Sequence, residues 1–189
     1  MKKTTMALGA TAALVLVGCA SGPMMSKGSG DEFMSMMKTS FSARGIAKMD
    51  RIEQDLGQAA CSSDKDPSPA VAKRVEAEAL ASIQWPAGGQ YFGDWKAGEK
   101  LAQGGRGMTW TDKSTDPKDN GGNCYNCHQI SKEEISYGTI GPSLYNYGKI
   151  RGVKDVTAKS SAEVVQYTWG KLWNSKAYSA CSNMPRFGH

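Results

Sequence analysis

Asn123-Cys124-Tyr125-Asn126-Cys127-His128 is the stretch that decides how this chain is read. It has the form C-x-x-C-H, the attachment signature of a c-type haem. Each thiol adds its S–H across one vinyl group of the porphyrin. The two intervening residues set the spacing at which Cys124 and Cys127 reach one porphyrin edge. His128 follows directly, so its ring can ligate the iron. A redox dithiol has no use for that histidine. A zinc site built on the C-x-x-C pair needs two further ligands, and the other histidine of the chain is His189, its last residue. One covalent haem c is therefore the expected cofactor.

Upstream of the motif, residues 109–122 are rich in Asp, Lys, Asn and Gly and read as a surface loop. Trp85-Pro86 opens an earlier loop, and the run from Tyr91 to Leu101 reads as the start of a helix capped by Asp94. Gly98 would let another element approach that helix closely. Downstream, Ser160 or Ser161 is expected to cap a helix through Val164, Val165, Thr168, Leu172 and Trp173, with Glu163 favourably placed in its first turn. Residues 174–180 read as loop and lead into Cys181-Ser182-Asn183-Met184-Pro185-Arg186-Phe187-Gly188.

Two of these segments are similar to segments of cytochromes c. Ile140-Gly141-Pro142-Ser143-Leu144 resembles their Gly-Pro-x-Leu stretch. The resemblance implies that the Pro142 carbonyl accepts a hydrogen bond from the second ring nitrogen of His128. Such a partner fixes a ligand ring's orientation and tunes its donor strength. Tyr145 and Tyr147 are candidates for the pocket wall. Met184 is the expected sixth ligand, because Pro185 restricts it to extended backbone and a thioether on a Met-Pro loop is the usual partner in such cytochromes. Met108 is its rival, and His189 reads as solvated. Iron held by His128 and Met184 has no open position. Its chemistry is then electron transfer, and the Met ligand raises its potential relative to two histidines.

The chain begins with Lys2 and Lys3 before an apolar run over residues 6–17, too short to span a bilayer as a permanent helix. The run ends in Leu16-Val17-Gly18-Cys19, which resembles a bacterial lipoprotein signal. Residues 1–18 are then removed and Cys19 is lipidated. The competing reading is ordinary cleavage after Ala20. Both imply export to the periplasm, where haem c is attached. Several acyl chains on Cys19 would anchor the protein firmly, whereas a single chain binds marginally. Residues 19–30 read as a flexible tether.

Residues 31–84 read as a helical extension. Phe33, Met36, Met37, Phe41, Met49, Ile52 and Leu56 recur mostly at three- and four-residue steps, with a break near Gly45. That spacing makes the methionines core residues rather than iron ligands. Ser68 caps a second helix with Pro69 in its first turn, and Val71, Val75, Leu80 and Ile83 form its buried face. The expected roles of the extension are packing on the haem domain and offering a partner surface.

The whole chain carries 23 basic and 18 acidic side chains, a formal +5. Loss of Lys2 and Lys3 with the signal leaves +3, from 21 basic and 18 acidic side chains. No basic cluster suits a phosphate backbone, so nucleic acid is set aside. Of the 5 cysteines, Cys19 goes to lipid and Cys124 and Cys127 to haem. Cys61 and Cys181 remain as an even pair in an oxidising compartment, and a disulfide is expected. Two free thiols are the alternative.

Asn183-Met184-Pro185-Arg186-Phe187-Gly188, together with the C-x-x-C-H and Gly-Pro-Ser-Leu segments, resembles SoxX, the family of small cytochrome subunits of SoxAX sulfur-oxidation complexes. The likeness covers roughly residues 94–189. It implies an all-α, class I cytochrome c-like haem domain over residues 85–189. It also implies that the chain accepts electrons at its haem within a complex that joins thiosulfate to a carrier cysteine, an L-cysteine S-thiosulfotransferase. The partners implied are a SoxA-type dihaem or monohaem subunit that carries the catalytic haem, a SoxYZ-type carrier protein and a soluble cytochrome c acceptor. The resemblance places no catalytic residue on this chain.

Two features depart from the family. The lipid-anchor signal and the helical extension exceed what the small subunit needs, and would replace an accessory subunit or hold the complex at a membrane. Five residues follow Met184, so the C-terminal helix usual in this class is missing; a fragment is expected, with substitution by an N-terminal helix as the alternative. The alternative function is a free-standing, lipid-anchored electron carrier. A gas or redox sensor would need a displaceable ligand, which a Pro-held methionine disfavours.

Overall fold

A computed structural model describes residues 29–107, 109–116 and 118–188. The expected signal, Cys19, Met108 and His189 lie outside the described residues. Within them the chain is helical, without a strand; a single bridge joins Arg44 and Ala47. The all-α expectation holds at that level.

The helices are α1 (Ser29–Ser40), α2 (Leu56–Cys61), α3 (Pro69–Ala81), α4 (Trp95–Gln103), α5 (Tyr147–Ile150) and α6 (Ala162–Trp173). Short 3-10 turns lie at Met49–Ile52, Ala87–Gly89, Cys124–Asn126, Lys159–Ser161 and Ser175–Ala177. α1 begins inside the expected tether, and Asp31 and Glu32 in its first turn favour that start. Its apolar stripe does not form core. Phe33 and Met36 are 53% and 54% exposed, because α1 packs mainly against the Met49–Ile52 turn among the described residues. The expected break is real: Gly45 takes φ +51°, and a β-carbon there would collide with the Asp112 carbonyl. That close approach lets the Ile46 N–H donate to Asp112 O at 2.7 Å, while Arg44 lies over the Trp110 ring.

The core is built on α3. Ser68 caps it by accepting from the Val71 N–H, and Pro69 opens it. Val75 and Ala79, with Ile83 just beyond, are three of the four buried apolar side chains among the described residues; Ala180 is the fourth. Val71 and Leu80, expected on this face, stay exposed. The small Ala79 takes their place, since α3 packs mainly on the tight Ser175–Ala177 turn.

α6 locks onto the end of α3 by its indoles. Trp169 Nε1–H donates to Gln84 O at 2.9 Å and Trp173 Nε1–H to Ser82 O at 3.1 Å. The two rings stack, and Tyr91 meets Trp169 edge-on. Buried Asn174 donates to Ser82 Oγ, as a buried amide donor needs such a partner. Ser161 sits at the N-cap of α6, but its hydroxyl donates back to Asp155 O at 2.6 Å and caps nothing. The helical extension therefore packs against residues 169–181, and a disulfide between Cys61 and Cys181 ties the two together.

Candidate functional site

α4 delivers the chain to the C-x-x-C-H turn. Asp94 caps the helix by accepting from the Lys96 and Ala97 N–H groups. At its other end, the Leu101 and Gly104 carbonyls, left without intrahelical partners, accept from Gly122 and Asn123 at 2.6 and 2.9 Å. Gly104 and Gly121 approach too closely for a β-carbon on Gly121. No residue of α4 is buried, and Trp95 is 70% exposed. No described atom comes within 4 Å of a β-carbon placed on Gly98, so the close approach expected there is not made.

Asn123 adopts a left-handed conformation, φ 53°, which asparagine tolerates better than most residues. It turns the chain into the Cys124–Asn126 turn, where the Cys127 and His128 N–H groups both donate to Cys124 O, at 3.1 and 2.9 Å. Cys124 and His128 thus stand one helical turn apart. Both cysteines are free thiols and half-buried. Burial pushes the Cys124 thiol above its ordinary range, with a smaller push from Cys127. Among the described residues no three Cys, His, Asp or Glu side chains are grouped as a metal cage.

Residues 138–144 fold back onto this turn. Gly138, Gly141 and Leu144 donate their N–H groups to Tyr125 O, Cys127 O and Gln129 O at 2.8, 2.8 and 2.7 Å. Glycine is required at two of these positions. A β-carbon on Gly138 would strike the Asn126 carbonyl, and one on Gly141 would strike the His128 ring. The return places the Pro142 carbonyl 2.6 Å from His128 Nδ1. A carbonyl only accepts, so Nδ1–H is the donor, and in the neutral ring the Nε2 lone pair is left for another partner.

Met184 lies on a second loop and is half-buried. Fully buried Ser175 donates its hydroxyl to Met184 O at 2.7 Å, and the Met184 N–H donates to Ser182 Oγ at 3.3 Å. Beyond Pro185 the loop returns to α6 through Phe187 N–H to Leu172 O and Gly188 N–H to Trp173 O, at 3.1 and 3.0 Å. Arg186 pairs with Asp55 at the N-cap of α2. Burial raises the Asp55 carboxyl, but the Gln58 N–H, the Arg186 guanidinium and the Lys176 charge outweigh it and hold the carboxyl below its ordinary value.

Gly122 joins the two halves. A β-carbon there would lie 3.2 Å from Cys124 Sγ and 3.8 Å from the Phe187 ring. An apolar cavity of about 300 Å³ lies between α5 and α6, lined by Tyr91, Phe92, Tyr147, Val164, Trp169 and Leu172 among others. Tyr147 reaches back to the motif through Leu144, and Leu172 reaches the Met184 loop through Phe187. Tyr145 lies outside the cavity lining, under Lys132. Ser175 and Asp55 were not singled out in the sequence, and Arg186 entered only as part of the run over residues 183–188. The D-x-x-Q capping box at Asp55 carries a local signal; Ser175 has none.

No family model matches the chain. Over 142 residues it is 34% identical to an uncharacterized lipoprotein of Aquifex aeolicus (strain VF5), an alignment covering 72% of this chain and 61% of that protein. The chain thus spans about three-fifths of the length of that relative.

Proposed function

We propose that this chain is a monohaem c-type cytochrome, anchored in the cell envelope by lipid on Cys19. We propose further that it accepts and relays electrons as a subunit of a SoxAX-type thiosulfate-oxidising complex. The observation that carries the haem reading is the bond from His128 Nδ1–H to Pro142 O, one turn after Cys124. It holds the ring in the tautomer whose Nε2 can ligate iron. The sequence run over residues 183–188 carries the narrower SoxX reading, and the name of the Aquifex relative supports the lipid anchor.

The residues present fit such a group. Two free thiols lie in the turn, a ring nitrogen is left unpartnered among the described residues, and apolar side chains line a cavity between α5 and α6. Bound there, haem would supply one-electron exchange. Cys124 and Cys127 would hold the macrocycle covalently, His128 and Met184 would ligate the iron, and Pro142 would fix the His128 ring. With two ligands supplied by the chain, the iron would exchange electrons rather than take substrate. Sulfur chemistry then belongs to a partner subunit.

The test is native purification of the full-length protein from cells grown on thiosulfate, with mass identification of what stays bound. A stoichiometric second c-type cytochrome, and haem reduction that needs both thiosulfate and its carrier protein, would support the subunit reading. A reducible monomer indifferent to thiosulfate would leave the free-standing, lipid-anchored electron carrier.

A further inference from the structure

The six-residue helix α2 grips the Met184 loop from both of its own ends. Its N-cap, Asp55, pairs with Arg186, and its last residue, Cys61, is bonded to Cys181. Cys181 and Arg186 bracket Met184, three residues before it and two after. The helix offers a firm base for this grip. Asp55 and Gln58 close a reciprocal capping box. Buried Gly57 sits against the Lys176 stem and Val75, with a β-carbon position 3.0 and 3.3 Å from them.

The loop needs outside support. Asn183, Pro185 and Phe187 are exposed, so burial fixes only every second residue. Ser175 and Ser182 hold the backbone of Met184, and Phe187 and Gly188 bond back to α6, yet Pro185 between them has no N–H to offer. A thioether is a weak, neutral ligand, so the time it spends on a metal depends strongly on how narrowly its loop is held.

We propose that Asp55, Arg186, Cys61 and Cys181 are positioning residues for Met184, and that α2 acts as a staple that keeps its sulfur within reach of the iron and external ligands out. The inference rests on reading Met184 as an axial ligand. Releasing either end of the staple raises the fraction of molecules with the sulfur displaced. External ligands then bind more tightly in proportion to that fraction.

The test uses the oxidised, full-length holoprotein with imidazole as the external ligand. A second readout is the far-red absorption band of a sulfur-to-ferric-iron bond. Asp55→Ser keeps a hydroxyl to cap α2 but removes the ion pair; Arg186→Gln removes it from the other side. Each is expected to strengthen imidazole binding about fivefold and to weaken the band. Adding Cys61→Ser with Cys181→Ser should strengthen it further, and Arg186→Lys should restore most of the parent behaviour. Ser68→Ala, which removes the cap of α3 away from the loop, should lower the melting temperature and leave band and imidazole affinity unchanged. Staple variants that lose only melting temperature, as expected of Ser68→Ala, would overturn the inference. A parent without the band, or a Met184→Ala protein that keeps it, would remove the ligand reading and the staple with it.

Discussion

Replacing Cys61 and Cys181 together by serine removes the covalent tie between α2 and the segment leading to Met184. That bond closes a separation of 120 residues. In the chain-entropy treatment, restraining the unfolded chain by a loop of this length contributes about 5 kcal/mol at 25 °C. The comparison that matters is with the core. The described residues bury only Val75, Ala79, Ile83 and Ala180 as apolar side chains. Burial of a valine or isoleucine contributes about 1.5–3 kcal/mol, so the disulfide matches two or three of them. Domains with little core depend on such staples. The Trp169 and Trp173 bonds to residues 84 and 82 survive the substitution, so the effect falls mainly on the unfolded chain. For a chain of 189 residues, the loss corresponds to a melting temperature lower by about 10–20 °C. Urea titration of the parent and double-serine proteins, followed by tryptophan fluorescence without reductant, measures it. A loss under about 1 kcal/mol would refute the reasoning, since it would mean that the unfolded chain is already as restrained without the bond.

Trp173→Phe keeps the ring but leaves the Ser82 carbonyl without its donor, and should cost about 1 kcal/mol in the same titration. The depressed Asp55 carboxyl gives a pH signature. A carboxyl held below its unfolded value contributes stability that is complete above the unfolded value and is lost as pH falls through the folded one. The parent should therefore lose stability below about pH 4, and Asp55→Asn should show a shallower loss there. Gly141→Ala drives a methyl group into the His128 ring. It should displace the ring from the Pro142 carbonyl and, in the holoprotein, shift the reduction potential more than Gly98→Ala, which meets open space. Cys19→Ser should move the protein from the membrane to the soluble fraction of exported material, and retention in the membrane fraction would count against lipidation.

The parts legible in the sequence are those with local chemistry. The return of Gly141 and Pro142 to His128 and the caps at Ser68 and Asp94 each act over a short span of chain. The Cys61–Cys181 pairing was reachable by assigning the other cysteines first. What stayed hidden depends on packing between distant segments. The Asp55–Arg186 pair spans 131 residues and leaves no periodic trace. The indole bonds of Trp169 and Trp173 depend on which carbonyls end up beside α6. Periodicity in α1 announces an apolar face without saying what covers it, and here Phe33 and Met36 remain exposed. Ser161 occupies its expected N-cap position, but its backbone is already helical rather than extended, and its hydroxyl donates to Asp155 O without accepting from α6.

The central claim is that Cys124, Cys127 and His128 hold a covalent haem. The direct test is to express the full-length chain in a host with haem-attachment machinery and measure intact mass and absorption before and after acid-acetone extraction. The account predicts one haem that stays with the chain through extraction, and its loss to the solvent when Cys124 and Cys127 are both replaced by alanine. A protein without haem, or one whose haem extracts freely from the parent chain, would contradict it.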